Sequence, residues 1–72
     1  MTKLGEFLAK KSINRASISR KTGISKTRLS ELSNKATTKL RADELYLIAL
    51  ATESAPADVL EFVCGSLKLE KM

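Results

Sequence analysis

The chain has 72 residues, of which 43% are hydrophobic and 29% are charged, enough for one small domain but too few for a second hydrophobic core or an enclosed catalytic cleft. It has no histidine and a single cysteine, Cys64, which excludes zinc-finger ligand sets, a disulfide framework and a Cys–His nucleophile. Its net charge of +5 indicates a polyanionic partner. We therefore expect a binding domain over residues 1–72, without enzymatic activity, metal or other cofactor.

The hydrophobic segments are too short for membrane insertion. The longest uninterrupted one is Leu45–Ala51, seven residues, against the roughly 18 that a spanning helix needs. The first twelve residues lack a hydrophobic stretch of signal-peptide length, and a single thiol suits a reducing compartment. These features predict a cytoplasmic protein with no membrane contact.

Helical spacing dominates the sequence and predicts an all-α fold. Leu4, Phe7 and Leu8 lie at i, i+3 and i+4, which favours a first helix over residues 2–11, with Thr2 as its N-cap. Asn14 is a suitable N-cap for a second helix over 15–22, which ends where Gly23 can adopt a left-handed backbone.

Three further helices are predicted. Ser25 can cap a helix over 26–34, and a basic loop follows over 35–40. The helix over 42–52 is hydrophobic on nearly every side, as in a central helix or one shared with another subunit. The last helix, over 56–64, has Pro56 in its first turn and an inward face of Val59, Leu60 and Val63. Residues 65–72 form a short C-terminal tail.

Positive charge is concentrated in one part of the sequence. Residues 10–41 contain ten basic residues and a single acidic one, Glu31, a net charge of +9, whereas the remainder carries −4. Soluble surfaces ordinarily mix both signs, so this division favours a nucleic-acid partner over simple solvation.

The second and third helices, separated only by residues 22–25, form a helix-turn-helix pattern. Its inward positions are occupied by Ile18, Thr22, Ile24, Leu29 and Leu32, four of them hydrophobic. The opposite side of the third helix is polar and carries Thr27, Ser30, Glu31 and Asn34, flanked by Lys26 and Arg28.

Residues 16–32, ASISRKTGISKTRLSEL, together with the Ile48–Ala49 pair, resemble the phage-repressor-like (Cro/CI-type, XRE) helix-turn-helix family. The resemblance covers about residues 2–64. It implies a compact, lambda-repressor-like five-helix domain that binds double-stranded DNA as a transcriptional regulator, usually as a homodimer.

The resemblance, together with the helical face, also implies roles for individual residues. Base-reading positions are Lys26, Thr27, Ser30 and Glu31. DNA-backbone positions are Asn14, Arg15, Ser25, Arg28, Asn34, Lys35, Lys39 and Arg41. The chain departs from the family pattern at Ser19, where alanine is usual, and at Lys35, where glycine usually ends the third helix, so we expect Asn34 to adopt the left-handed conformation itself.

Three of these assignments have alternatives. Lys26 and Arg28 can each bind guanine O6 and N7 or a phosphate, and we assign Lys26 to bases and Arg28 to phosphate. Glu31 would repel phosphate unless it accepts from cytosine N4 or orients a neighbouring basic side chain.

The hydrophobic residues between 46 and 69 exceed what one small core needs, which predicts a homodimer. The expected interface consists of Tyr46, Val59, Phe62, Val63, Leu67 and Leu69; alternatively, these residues complete the monomer core. A twofold dimer would bind a palindromic operator with half-sites about 34 Å apart.

The leading functional hypothesis is a small transcriptional repressor. The alternative is an antitoxin-like module whose main role is to bind a partner protein, here unknown; RNA binding ranks third. With three aromatic residues, the chain offers few stacking platforms for single strands.

Overall fold

The computed structural model describes residues 1–70 and contains, in that range, five α-helices and no strand. The helices are α1 (Lys3–Lys11), α2 (Arg15–Thr22), α3 (Lys26–Asn34), α4 (Ala42–Ala51) and α5 (Pro56–Cys64). The predicted all-α fold is confirmed, with α1 and α4 each one residue shorter than expected. None of these helices is long and apolar enough to cross a membrane. Of the predicted tail, residues 71 and 72 lie outside the described residues.

The first three helices begin at the predicted caps. Thr2 Oγ1 accepts from the Gly5 amide at 3.1 Å, Asn14 Oδ1 from the Ala16 amide at 2.7 Å, and Ser25 Oγ from the Arg28 amide at 3.1 Å. Gly23 ends α2 in the left-handed region, with φ +81°. The turn between α2 and α3 therefore follows from local sequence signals.

The expectation that Asn34 becomes left-handed is wrong. Among residues 1–70 the only non-glycine residues with positive φ are Ser12 and Glu53. The end of α3 is closed by the N-terminal segment instead: Thr2 Oγ1 donates to the Leu32 carbonyl at 2.6 Å and the Thr2 amide donates to the Ser33 carbonyl at 2.9 Å. Because the Leu32 and Ser33 carbonyls already have donors, Lys35 continues in an extended conformation without a glycine turn.

The hydrophobic core holds α3 from two sides. α3 packs on α1 and α2, α4 packs on α2 and α5, and α5 packs on α1. All four hydrophobic positions predicted to face inward in the helix-turn-helix are buried, and Thr22 is partly buried. The buried hydrophobic residues are Leu4, Phe7, Leu8, Ile18, Ile24, Leu29, Leu32, Leu45, Ile48, Ala49 and Val59.

Two assignments in α5 need correction, and one of the two alternatives for α4 is excluded. Val59, which the sequence placed both on the inward face and at the dimer interface, is 0% exposed, so the inward placement is confirmed and the interface placement is wrong. Leu60, placed in the core, is 52% exposed because it lies about 100° around the helix from the buried Val59. α4 packs on α2 and α5 and is buried on the side of Leu45 and Ile48, whereas Tyr46 and Leu50 are exposed, so the described residues do not enclose it as a central helix.

A buried carboxylate connects α3 with α4. Glu44 Oε2 accepts from Arg28 Nε, and Glu44 Oε1 accepts from Arg28 Nη2, both at 2.9 Å. Glu44 Oε1 also accepts from the Arg41 amide at 3.0 Å. The hydrogen bonds from Arg28, followed by that from the Arg41 backbone, outweigh the cost of burial and hold the pKa of Glu44 below its ordinary value of 4.5.

This lowered pKa predicts a pH-dependent effect of Glu44→Gln. Glu44 stabilises the fold at pH values above its unfolded pKa, and the contribution is lost as pH falls through the lower folded pKa. We therefore expect Glu44→Gln to lower the urea midpoint at pH 7 and to match the parent once the pH is well below 4.5.

Asp43→Asn is the matched control, because the Asp43–Arg41 ion pair is mostly exposed and such pairs contribute little. Urea titrations followed by circular dichroism at both pH values measure the effect. If Glu44→Gln lowered the urea midpoint by the same amount at low and neutral pH, the result would contradict the lowered pKa of Glu44.

Gly5 lies at a close approach of α1 to the end of α3. A Cβ at this position would overlap the Ser33 carbonyl oxygen and lie 2.7 Å from Met1 Cγ. Within a helix, Gly→Ala ordinarily stabilises by about 0.5–1 kcal/mol. Here we expect Gly5→Ala to destabilise by about 1–3 kcal/mol, because the backbone of α3 must move.

Urea unfolding measures whether Gly5→Ala raises or lowers the free energy of unfolding. Ala9→Gly, at an exposed position of the same helix, should show only the ordinary propensity loss of about 0.5–1 kcal/mol. A Gly5→Ala protein more stable than the parent would rule out the close contact.

Candidate nucleic-acid interface

The outward side of α3 carries the predicted base-reading residues. Lys26 and Thr27 are exposed in the first turn, and Ser30 and Glu31 are partly exposed one turn later. Leu29, 0% exposed, fixes the rotation of the helix about its axis. The four side chains therefore share one polar face that points away from the core.

The starts of α2 and α3 supply further predicted contacts. Asn14, Arg15 and Ser25 are all exposed. The side-chain oxygens of Asn14 and Ser25 cap their helices, which leaves other first-turn amides and the positive end of each helix dipole open to an anion.

The loop after α3 contains the remaining basic positions. Lys35, Lys39 and Arg41 are exposed, as is Asn34, whose Nδ2 donates to the Ser30 carbonyl at 3.0 Å. Arg41 pairs with Asp43 at 3.0 Å, and both side chains remain mostly exposed. A pair of this kind is weak enough to exchange for a phosphate.

Arg28 differs from the other predicted backbone contacts because its guanidinium is already bound within the protein. Besides its two bonds to Glu44, its Nη2 donates to the Lys39 carbonyl at 2.9 Å. The hydrogen bond to Glu44 raises the pKa of Arg28. The acid that orients this arginine is thus Glu44 rather than Glu31, which makes no ion pair within residues 1–70.

The sequence analysis did not identify Glu44 as part of the site. A signal for it did exist: Glu44 is the third residue after Arg41, the spacing at which a carboxylate accepts from the N-cap amide. Its second partner, Arg28, is sixteen positions away, beyond the range of helical periodicity.

The exposed charges are divided as in the sequence, with basic residues concentrated between positions 10 and 41 and most acidic residues after them. Nine of the ten basic residues between 10 and 41 are exposed, Arg28 being the exception. The exposed acids of the later helices and tail are Asp43, Glu53, Asp58, Glu61 and Glu70. A polyanion is thus attracted to the segment that contains α2, α3 and the following loop.

Comparison with known proteins agrees with this geometry. A family model described as the Cro/C1-type HTH DNA-binding domain matches residues 3–65 of the 72-residue chain. Searches of curated proteins and of solved structures give no match. The matched range contains all five helices, and it supports DNA binding by a regulator. The chain belongs to the Cro/C1-type helix-turn-helix DNA-binding domain family.

Proposed function

We propose that the protein is a sequence-specific transcriptional repressor that inserts α3 into the major groove of double-stranded DNA. The observation that carries this proposal is the open polar face of α3, set among nine exposed basic residues. A major groove about 12 Å wide accepts an α-helix, and its base edges present a distinct donor and acceptor pattern for each pair. Occupation of an operator is itself sufficient to block another protein from the same DNA.

Within this proposal, Lys26, Thr27, Ser30 and Glu31 contact base edges. Asn14, Arg15, Ser25, Asn34, Lys35, Lys39 and Arg41 contact the phosphate backbone on either side. Lys26 is the best placed for guanine, because it is exposed in the first turn of α3 and makes no ion pair within residues 1–70.

The protein binds DNA as a homodimer in this proposal. One short reading helix contacts too few base pairs for useful specificity, and a palindrome doubles them. The proposed interface retains Tyr46, Phe62, Val63, Leu67 and Leu69, without the buried Val59. Tyr46 is 54% exposed and Leu67 is 75% exposed, whereas Phe62 and Val63 are partly buried against the core. Exposed Leu50 and Leu60 extend the hydrophobic surface.

An antitoxin-like protein would use the same hydrophobic surface for a different partner. The exposed side chains of Tyr46, Leu50 and Leu60 suit either occupant. The two roles can coexist in one chain, and the salt dependence of duplex affinity separates them: a flat response would leave only the partner-binding role.

Duplex affinity should depend steeply on salt. Each phosphate neutralised by a basic side chain releases condensed counterions, so log K should fall against log salt with a slope of about −0.9 per contact. Fluorescence anisotropy with a labelled duplex between low and moderate salt measures this slope. A flat response would contradict DNA binding through the basic segment.

Substitutions in α3 and around it should have different effects on sequence preference. We expect Lys26→Ala and Thr27→Ala each to cost about 1–3 kcal/mol on a preferred duplex and to relax the choice of base at particular positions. Arg15→Ala and Lys39→Ala should weaken binding to all duplexes about equally. Equal losses on preferred and random duplexes for all four variants would show that another element reads the bases.

The dimer can be disrupted from its exposed residues. Tyr46→Glu and Leu67→Glu place a charge on the proposed interface without entering the core, so we expect both to shift micromolar protein towards monomer in sedimentation velocity. Glu53→Gln, an exposed change outside the proposed interface, is the control. A monomeric parent protein that protects a single half-site would exclude the dimer.

A further inference from the structure

Glu44 lies where three parts of the proposed DNA-binding surface meet. Its carboxylate accepts two hydrogen bonds from Arg28 in the first turn of α3 and one from the Arg41 amide at the start of α4. Arg28 in turn donates to the Lys39 carbonyl in the intervening loop. One buried acid thus connects the reading helix, the basic loop and α4.

The loop has few other attachments that could set its position. Its remaining backbone bonds are local, from the Lys35 amide to the Glu31 carbonyl and from the Thr38 amide to the Lys35 carbonyl. Leu40 packs partly against the core, while residues 35–37 and 39 are exposed. Across the described residues, the bonds made by Arg28 and Glu44 are therefore the long-range polar contacts that hold Lys39 and Arg41 relative to α3.

The pair also removes Arg28 as an effective source of positive charge. Glu44 neutralises the guanidinium, and the Nε and Nη2 donors are used within the protein. Arg28 is therefore better suited to hold the loop than to attract phosphate, in contrast to the role expected from sequence.

We propose that Arg28 and Glu44 are positioning residues for sequence-specific binding, which fix the loop over residues 35–41 so that its basic groups contact the backbone when α3 is correctly seated on its bases. The inference rests on the proposed function. Since base contacts require placement within about 0.5 Å, loss of the pair lowers the preference for the correct sequence, while general attraction to DNA is kept.

The test uses the whole protein and two duplexes of equal length, one selected by the parent protein from a random library and one of scrambled sequence. Glu44→Gln removes the ion pair with little change in shape. Arg28→Lys keeps the charge but lacks the fork that binds Glu44 and the Lys39 carbonyl together. Glu53→Gln is the matched control, because it makes the same substitution at an exposed position that is in no ion pair within residues 1–70 and lies outside the proposed DNA-binding surface.

We expect Glu44→Gln and Arg28→Lys each to reduce the ratio of selected to scrambled affinity by about tenfold, the order of one lost base contact. Glu53→Gln should keep the parent ratio of selected to scrambled affinity. Amide NMR shifts of residues 35–41 should change in the two pair variants, and circular dichroism checks that each protein is folded at the binding temperature. If the Glu44→Gln protein is unfolded at the binding temperature, the affinity ratio of the Arg28→Lys protein at that temperature tests the proposal.

Two results would overturn the inference. An equal rise in affinity for both duplexes in Glu44→Gln would show that Glu44 merely withholds Arg28 from phosphate. An unchanged ratio of selected to scrambled affinity in both folded variants would show that Arg28 and Glu44 contribute only to the stability of the fold. If the parent itself bound both duplexes equally, the proposed function would fail instead, so the two failures are distinguishable.

Discussion

Burial of one side of α3 is the constraint on which the rest of the structure depends. Leu29 and Leu32 insert between α1 and α2, and each buried leucine contributes about 1.5–3 kcal/mol. Because an α-helix has a fixed rotation per residue, anchoring these two side chains also fixes the direction of Lys26, Thr27 and Ser30. The polar face is therefore held by the same contacts that hold the fold, and no induced rearrangement of α3 is needed to expose it.

Polar contacts hold both ends of α3, in addition to the hydrophobic burial of one of its sides. Thr2 closes the C-terminal end of α3, and Arg28 with Glu44 joins its first turn to the next loop and helix. Both ends of a nine-residue helix are thus tied to distant parts of the chain. This matters because a helix of that length is marginal in isolation and depends on tertiary contacts for its stability.

Local signals predicted most of the fold, and long-range contacts account for the failures. The caps at Thr2, Asn14 and Ser25 and the turn at Gly23 depend on a few adjacent residues, so they could be predicted. The left-handed Asn34 was wrong because its substitute donor, Thr2, lies about thirty positions away. Val59 was expected both on the inward face of α5 and at the dimer interface, and Leu60 was wrongly placed inward, because a short hydrophobic helix fits more than one rotation until its neighbours are known. For the candidate site, the face of α3 followed from periodicity, whereas the partner of Arg28 is set by a side-chain contact between residues sixteen positions apart, which periodicity does not give.

Selection of bound sequences from a random duplex library tests the central claim most directly, because it lets the protein choose its operator from all possible sequences. If α3 reads the major groove in a twofold dimer, successive rounds enrich a palindrome whose half-sites lie about 10 base pairs apart, centre to centre. Bound DNA that remains as diverse as the starting library after repeated rounds would contradict sequence-specific recognition by α3.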